Sequence, residues 1–168
     1  MRHAKTEPAA PRQSDRSRRL TDRGRSDARL IGAKLRSDGY VPDRILCSPA
    51  VRTRETLEAL LPSLAAAPVT EIVDGLYGAA AADYMAAIAA EGGNARRLMV
   101  IGHNPSVHAA AHAAARQGDK AARDRLSETF PTGAFAVIAY AASEWDQALA
   151  APGRLLAFVT PRDIGGGA

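Results

Sequence analysis

A chain of 168 residues, 46% hydrophobic and 24% charged, is long enough to bury one ordinary core without disulfides or metals to staple it. Its single Cys47 excludes an internal disulfide, no apolar run is long enough to cross a bilayer, and the start has no signal-peptide pattern, so a reducing, cytoplasmic setting is expected. The net charge of +4 sits at the front, where residues 1–30 hold nine Arg or Lys against four acids and the remainder holds thirteen against fourteen.

Residues 6–20, with Pro8, Pro11 and many Arg and Ser, lack an apolar period and read as a loop. Thr21 is placed to cap a helix running to about Ser37, with Ala28, Leu30, Ile31 and Leu35 on one stripe and Gly39 ending it. Ile45-Leu46-Cys47 reads as a short buried strand stopped by Ser48-Pro49, followed by a helix through Leu57, Leu60 and Leu61 to Pro62. The grammar repeats: strand 69–73, helix 80–90, strand 98–101, helix 105–116 opened by a proline, and a polar helix 120–126. Strands 134–140 and 155–159 follow, separated by a turn around 143–152.

Alternating strands and helices predict an α/β domain, three layers with a mainly parallel sheet. Residues 1–163 form a single domain in this reading, and 164–168, with Gly165-Gly166-Gly167, a flexible tail.

In such sheets ligands bind beyond the carboxyl ends of the strands, and three strand ends carry informative residues. Arg2-His3 sits where a first strand would end, Ser48-Pro49-Ala50-Val51-Arg52 follows the strand at 45–47, and Gly102-His103-Asn104 follows 98–101. Transfer of a phosphoryl group calls for guanidinium forks on its nonbridging oxygens and a neutral nitrogen to attack phosphorus. Arg2 and Arg52 supply the forks, His3 the nitrogen, and His103 a donor that stabilises charge in the transition state; Ser48 and Asn104 complete the expected substrate contacts. Neighbouring guanidiniums are expected to hold His3 unprotonated near neutral pH. The basic front would steer a phosphorylated substrate, and with no aromatic side chains among its arginines to stack bases it argues against nucleic acid.

Two rival chemistries are weaker. Only four residues separate Cys47 from Arg52, too few for the loop of a cysteine phosphatase, and Cys47 reads as a buried strand residue. His108 and His112 are one helical turn apart, but no carboxylate completes a metal set with them and His103, so packing is expected.

Together, Arg2-His3-Ala4-Lys5, Asp15 with Leu20-Thr21-x-x-Gly24, Ser48-Pro49-x-x-Arg52-x-x-x-Thr56, Gly102-His103-Asn104-Pro105, Pro131-Thr132-Gly133-Ala134 and Trp145 resemble the SixA-type branch of the histidine phosphatase superfamily, with its phosphoglycerate-mutase-like fold. The resemblance runs from Met1 to about Pro161. It implies a phosphohistidine intermediate on His3, a pocket of Arg2, Arg52 and His103, no metal or other cofactor, and dephosphorylation of protein phosphohistidine, as in phosphorelay domains.

Related enzymes acting on esters place a carboxylic acid after the third strand, and Asp74 is the candidate at that place. Imidazole leaves more easily than an alkoxide, so a poor acid favours phosphohistidine as substrate. The alternatives are a phosphomonoesterase acting on small esters with Asp74 as acid, and a non-catalytic phosphate-binding module. The family's Arg-His pair ends a central strand, whereas only Met1 precedes it here. The first strand therefore reads as truncated, with further chain expected upstream.

Overall fold

The computed structural model describes residues 1–166. Thr21 caps α1 (Asp22–Ser37) by accepting from the Gly24 amide through its side chain, and Ala28, Ile31 and Leu35 of that helix are buried. A Cβ on Gly32 would stand 2.7 Å from the Leu60 carbonyl, so glycine lets α1 lie close against α2 (Val51–Leu64). That helix runs two residues past Pro62: the proline lies in the last turn, and burial of Leu64 favours completing it.

The remaining elements are β1 (Arg44–Cys47), β2 (Val69–Ile72), α3 (Ala81–Glu91), β3 (Leu98–Ile101), α4 (Ser106–Ala114), β4 (Ala115–Gly118), α5 (Lys120–Glu128), β5 (Phe135–Ala139), α6 (Trp145–Ala150) and β6 (Gly153–Val159). Two of them differ from the sequence reading. The helix expected to reach residue 116 stops at Ala114, because the chain turns into β4 and pairs parallel with β6. Gly118, at φ 116°, permits this course, since a Cβ there would lie 2.5 Å from the Leu155 carbonyl. The turn expected around 143–152 contains α6, whose Trp145 packs on Gly92 and donates to the Ala95 carbonyl at 2.9 Å.

The strands form two three-stranded sheets, β2-β1-β3 and β4-β6-β5, parallel except for the antiparallel pair β5–β6. Residues 1–3 stitch them together. His3 and Gly102 amides donate to Gly102 and Met1 carbonyls on one side, and the Arg2 amide donates to Ala134 on the other, each at 3.0 Å. At the place where the first strand was expected, Arg2 forms a parallel bridge with Gly102, next to β3.

Away from that stitch β3 and β5 stand apart, with cavities of about 370 Å³ and 130 Å³ that share Met1, Leu98, Val100, Ala136 and Ile138 in their walls. The Met1 amine donates to the Val100 carbonyl at 2.7 Å, and burial pushes its pKa down to about 5.

Ile45 and Cys47 face a core shared with Ile31, Leu35, Leu57 and Leu60, whereas Leu46 faces one shared with Tyr84, Val107, Leu126 and Phe158. The period-2 alternation of β1 thus separates two helical layers, α1 and α2 from α3, α4 and α5, in the three-layer α/β arrangement expected from the sequence. No helix among the described residues is long and apolar enough to cross a membrane. The boundary expected at residue 163 falls inside a 3₁₀ turn, Pro161–Ile164: Ile164 packs on the core and the Gly166 amide donates to Pro161. The rest of the expected tail, residues 167 and 168, lies outside the described residues.

Candidate active site

The carboxyl ends of β1 and β3 and the segment 1–3 open into a cavity of about 620 Å³ walled by Arg2, His3, Lys5, Asp15, Arg18, Arg52, His103 and Asn104, among others. His3 is held by backbone on both sides: its amide donates to Gly102, and its carbonyl accepts from Gly133 at 2.9 Å. Gly133 has φ 78°, a conformation that favours glycine, which accounts for its place after Pro131-Thr132. His3 Nδ1 lies 2.8 Å from the Ala4 carbonyl. A carbonyl only accepts, so Nδ1 carries the hydrogen and Nε2 keeps its lone pair.

The sequence spacings correspond to particular contacts. Thr56 Oγ1 accepts from the Ala4 amide at 3.0 Å and donates to the Arg52 carbonyl at 2.6 Å, tying the His3 segment to the helix that carries Arg52. A Cβ on Gly24 would fall 2.1 Å from the Lys5 carbonyl, and the Thr21 amide donates to that carbonyl, so Thr21-x-x-Gly24 docks α1 directly behind His3.

Arg52, in the first turn of α2, points its three nitrogens at three acceptors. Nε donates to His103 Nδ1 at 3.2 Å, Nη1 to the Asp15 carbonyl at 2.6 Å and Nη2 to Asp15 Oδ2 at 2.8 Å. Since Nδ1 of His103 accepts, its Nε2 carries the hydrogen and donates to Ser48 Oγ at 2.8 Å. The Tyr77 ring meets His103 edge-on, with centroids 5.7 Å apart, and its hydroxyl donates to Asp15 Oδ2 at 3.1 Å. Buried Tyr84 braces the same corner, accepting from the His103 amide at 3.0 Å and donating to the Leu76 carbonyl at 3.1 Å. Gly102 is required beside it, because a Cβ there would lie 2.2 Å from the Tyr84 hydroxyl.

Both histidines are neutral over the physiological range. Burial pushes His3 down to about 3, with His103, Arg52 and Arg2 adding to the shift, while the Ala4 hydrogen bond opposes it. Burial pushes His103 down to about 4, helped by Arg52 and opposed by Asp15. Desolvation therefore does most of what the sequence reading assigned to neighbouring guanidiniums. Burial also pushes the Cys47 thiol up to about 12, leaving no thiolate for nucleophilic work. His108 Nε2 lies 2.6 Å from the Leu126 carbonyl, a packing contact between α4 and α5.

The structure brings Arg2, His3, Arg52, His103 and Asn104 to one cavity. Arg2 Nη1 and Asn104 Nδ2 both donate to the Phe130 carbonyl, at 3.0 and 2.9 Å. Ser48 is fully buried and reaches the site through His103, not as a wall of the cavity. Asp74 does not line the cavity: its carboxylate is exposed and paired with Arg16 at 3.1 Å. The carboxylate that does is Asp15, which the sequence reading had quoted in a motif without a role. Tyr77 and Tyr84 were not expected at the site, and nothing local distinguishes Tyr84 from a core residue of an alanine-rich helix.

Residues 1–77 match the family model described as the histidine phosphatase superfamily, branch 1. An uncharacterized protein of Mycobacterium tuberculosis is 36% identical over 165 residues, covering 96% of this chain and 100% of its own length. Among solved structures, the chain resembles one described as a candidate phosphohistidine phosphatase SixA from Nakamurella multipartitia, at TM-score 0.83 and 30% identity over 96% of this chain and 93% of that one. It also resembles a similarly described SixA from Agrobacterium tumefaciens, at TM-score 0.80 and 30% identity over 96% and 95% of the two chains.

Proposed function

The chain belongs to the SixA-type branch of the histidine phosphatase superfamily, a group of phosphatases, and from that premise we propose that it is a metal-independent phosphohistidine phosphatase working through a phosphoenzyme on His3. The observation that carries this reading is the Ala4 carbonyl on His3 Nδ1, which leaves a neutral Nε2 as nucleophile in a pocket of Arg2, Arg52 and His103.

In the proposed cycle Nε2 attacks phosphorus in line with the leaving group. Arg2 and Arg52 take the equatorial oxygens through N–H groups still open on their forks, and His103 exchanges Ser48 Oγ for a phosphoryl oxygen. Water then hydrolyses phospho-His3. The substrate is a phosphohistidine carried by a protein, of the kind found in phosphorelay domains, and the compartment is the cytoplasm.

A small-ester phosphomonoesterase is the second reading, and the position of Asp74 counts against it. An alkoxide needs a proton as it leaves, yet Asp74 is tied to Arg16 outside the cavity. The test compares turnover of a phosphohistidine protein and an aryl phosphate by wild type, His3→Ala and Asp74→Ala. Phosphohistidine turnover that needs His3 but not Asp74 supports the proposal. Ester turnover that collapses in Asp74→Ala favours the second reading, and phosphate binding without any turnover would mean a non-catalytic module.

A further inference from the structure

A cavity suited to a phosphoryl dianion has a negative charge in its wall. Among the described residues, Asp15 is the only acid lining it. Burial pushes that carboxyl up, but hydrogen bonds from Arg52, Arg18 and Tyr77 and the Arg52 charge outweigh this and hold it below the usual carboxylate range. Oδ2 is taken by Arg52 and Tyr77, whereas Oδ1 accepts only one long bond, 3.3 Å from Arg18, on a side chain 55% exposed. Oδ1 therefore has lone-pair capacity to spare at the mouth of the pocket.

A fixed carboxylate weakens binding of a nearby dianion, so the charge calls for a reason beyond holding phosphate. Orienting Arg52 does not demand it, since the neutral backbone carbonyl of Asp15 already accepts from Nη1 at 2.6 Å. A phosphoimidazole offers a reason that an ester lacks: with a hydrogen on the nitrogen distal to phosphorus it is cationic at that end and departs as neutral imidazole.

Resting on the phosphohistidine reading, we propose that Asp15 is a specificity-determining residue whose Oδ1 accepts the distal N–H of the substrate phosphoimidazole, selecting protonated phosphoramidates over phosphate esters. The His3 Nε2 lone pair forms the new bond to phosphorus as the substrate P–N bond breaks. The P–N electron pair stays on the leaving nitrogen, the distal hydrogen stays on its own nitrogen beside Asp15, and imidazole leaves neutral.

The phosphoenzyme repeats the arrangement, because His3 Nδ1 keeps its hydrogen on the Ala4 carbonyl while Nε2 carries phosphorus. Water supplies hydroxyl to phosphorus, the P–Nε2 pair returns to His3, and the second proton of that water leaves with the phosphate. One acceptor thus holds the distal hydrogen of each imidazole: Ala4 for the enzyme's, Asp15 for the substrate's.

The experiment measures kcat/KM of the full chain on N-phosphoimidazole and on p-nitrophenyl phosphate for wild type, Asp15→Asn and Asp15→Glu. A charge-assisted hydrogen bond lost from the transition state predicts that Asp15→Asn lowers the ratio of kcat/KM on N-phosphoimidazole to that on the aryl ester by about tenfold or more, and that Asp15→Glu restores the ratio. An equal fall on both substrates, or none on either, would overturn it. A thermal melt checks folding, and Asp15→Ser, read as the same ratio, replaces Asp15→Asn should that variant not fold. The parent reading fails differently: wild type would leave N-phosphoimidazole untouched, or its turnover would survive His3→Ala.

Discussion

The two histidines stand 5.4 Å apart, ring centre to ring centre, on supports of opposite kind. His103 follows a strand paired along its length with β1, and side chains hold its imidazole: Arg52 on one nitrogen, Ser48 on the other, Tyr77 against the ring, with Tyr84 on the backbone. His3 ends a three-residue segment beside two apolar cavities, and backbone holds it almost entirely, through Gly102, Gly133 and the Ala4 carbonyl. In the proposed cycle, backbone fixes the tautomer of the nucleophile, and exchangeable side chains hold the residue that changes partners. The lesson is that rigidity here comes from hydrogen bonds at the strand ends more than from strand length.

Substitutions on the two sides separate these roles. The largest effect is expected for His3→Ala, which removes the proposed nucleophile: turnover should fall by about 10³-fold or more, read as single-turnover release of phosphate. His103→Ala should cost about 10²- to 10³-fold in kcat and still leave a trappable phosphoenzyme, since it removes charge stabilisation only. Loss of phosphoenzyme in His103→Ala, with retention in His3→Ala, would reverse the comparison.

Thr56→Val should affect both sides, because one hydroxyl links Ala4 to Arg52. Its buried partners lose about 1–3 kcal/mol of stability, measurable by urea denaturation, and a loss of activity accompanies it.

A further expected effect is on the dependence of stability on pH. Both histidines have folded pKa values, about 3 and about 4, below the ordinary 6.5, so the unfolded chain binds more protons between those values. Their contribution is complete above about pH 6.5 and is lost as pH falls through 4 and then 3. Urea midpoints should therefore drop over that window in wild type, and less steeply in a His3→Ala, His103→Ala double variant.

Much of this was legible in the sequence, because strand-end residues in α/β sheets declare themselves. Arg2, His3, Arg52 and His103 do converge, and Cys47 is the inert strand residue its spacing indicated. Asp74, the best candidate acid by its place after the third strand, is exposed, pairs with Arg16 and is absent from the cavity wall. Asp15 lies in a stretch that reads as loop and was quoted only as part of the family pattern; its place in the site emerges from three-dimensional pairing with Arg52. β4 and α6 were hidden for a similar reason, since alanine-rich segments carry little periodicity and tertiary pairing with β6 and the Trp145 anchor decide their state.

The central claim is that Nε2 of His3 becomes the phosphoryl carrier. Acid-quenching is unsuitable for an N–P bond, so the direct measurement traps the intermediate in alkali during turnover and locates phosphorus by ³¹P–¹⁵N NMR on ¹⁵N-histidine protein. The account predicts a single phosphoramidate on His3, coupled to Nε2, with Nδ1 still protonated. Phosphorus on Nδ1, on His103 or on no histidine at all would contradict it.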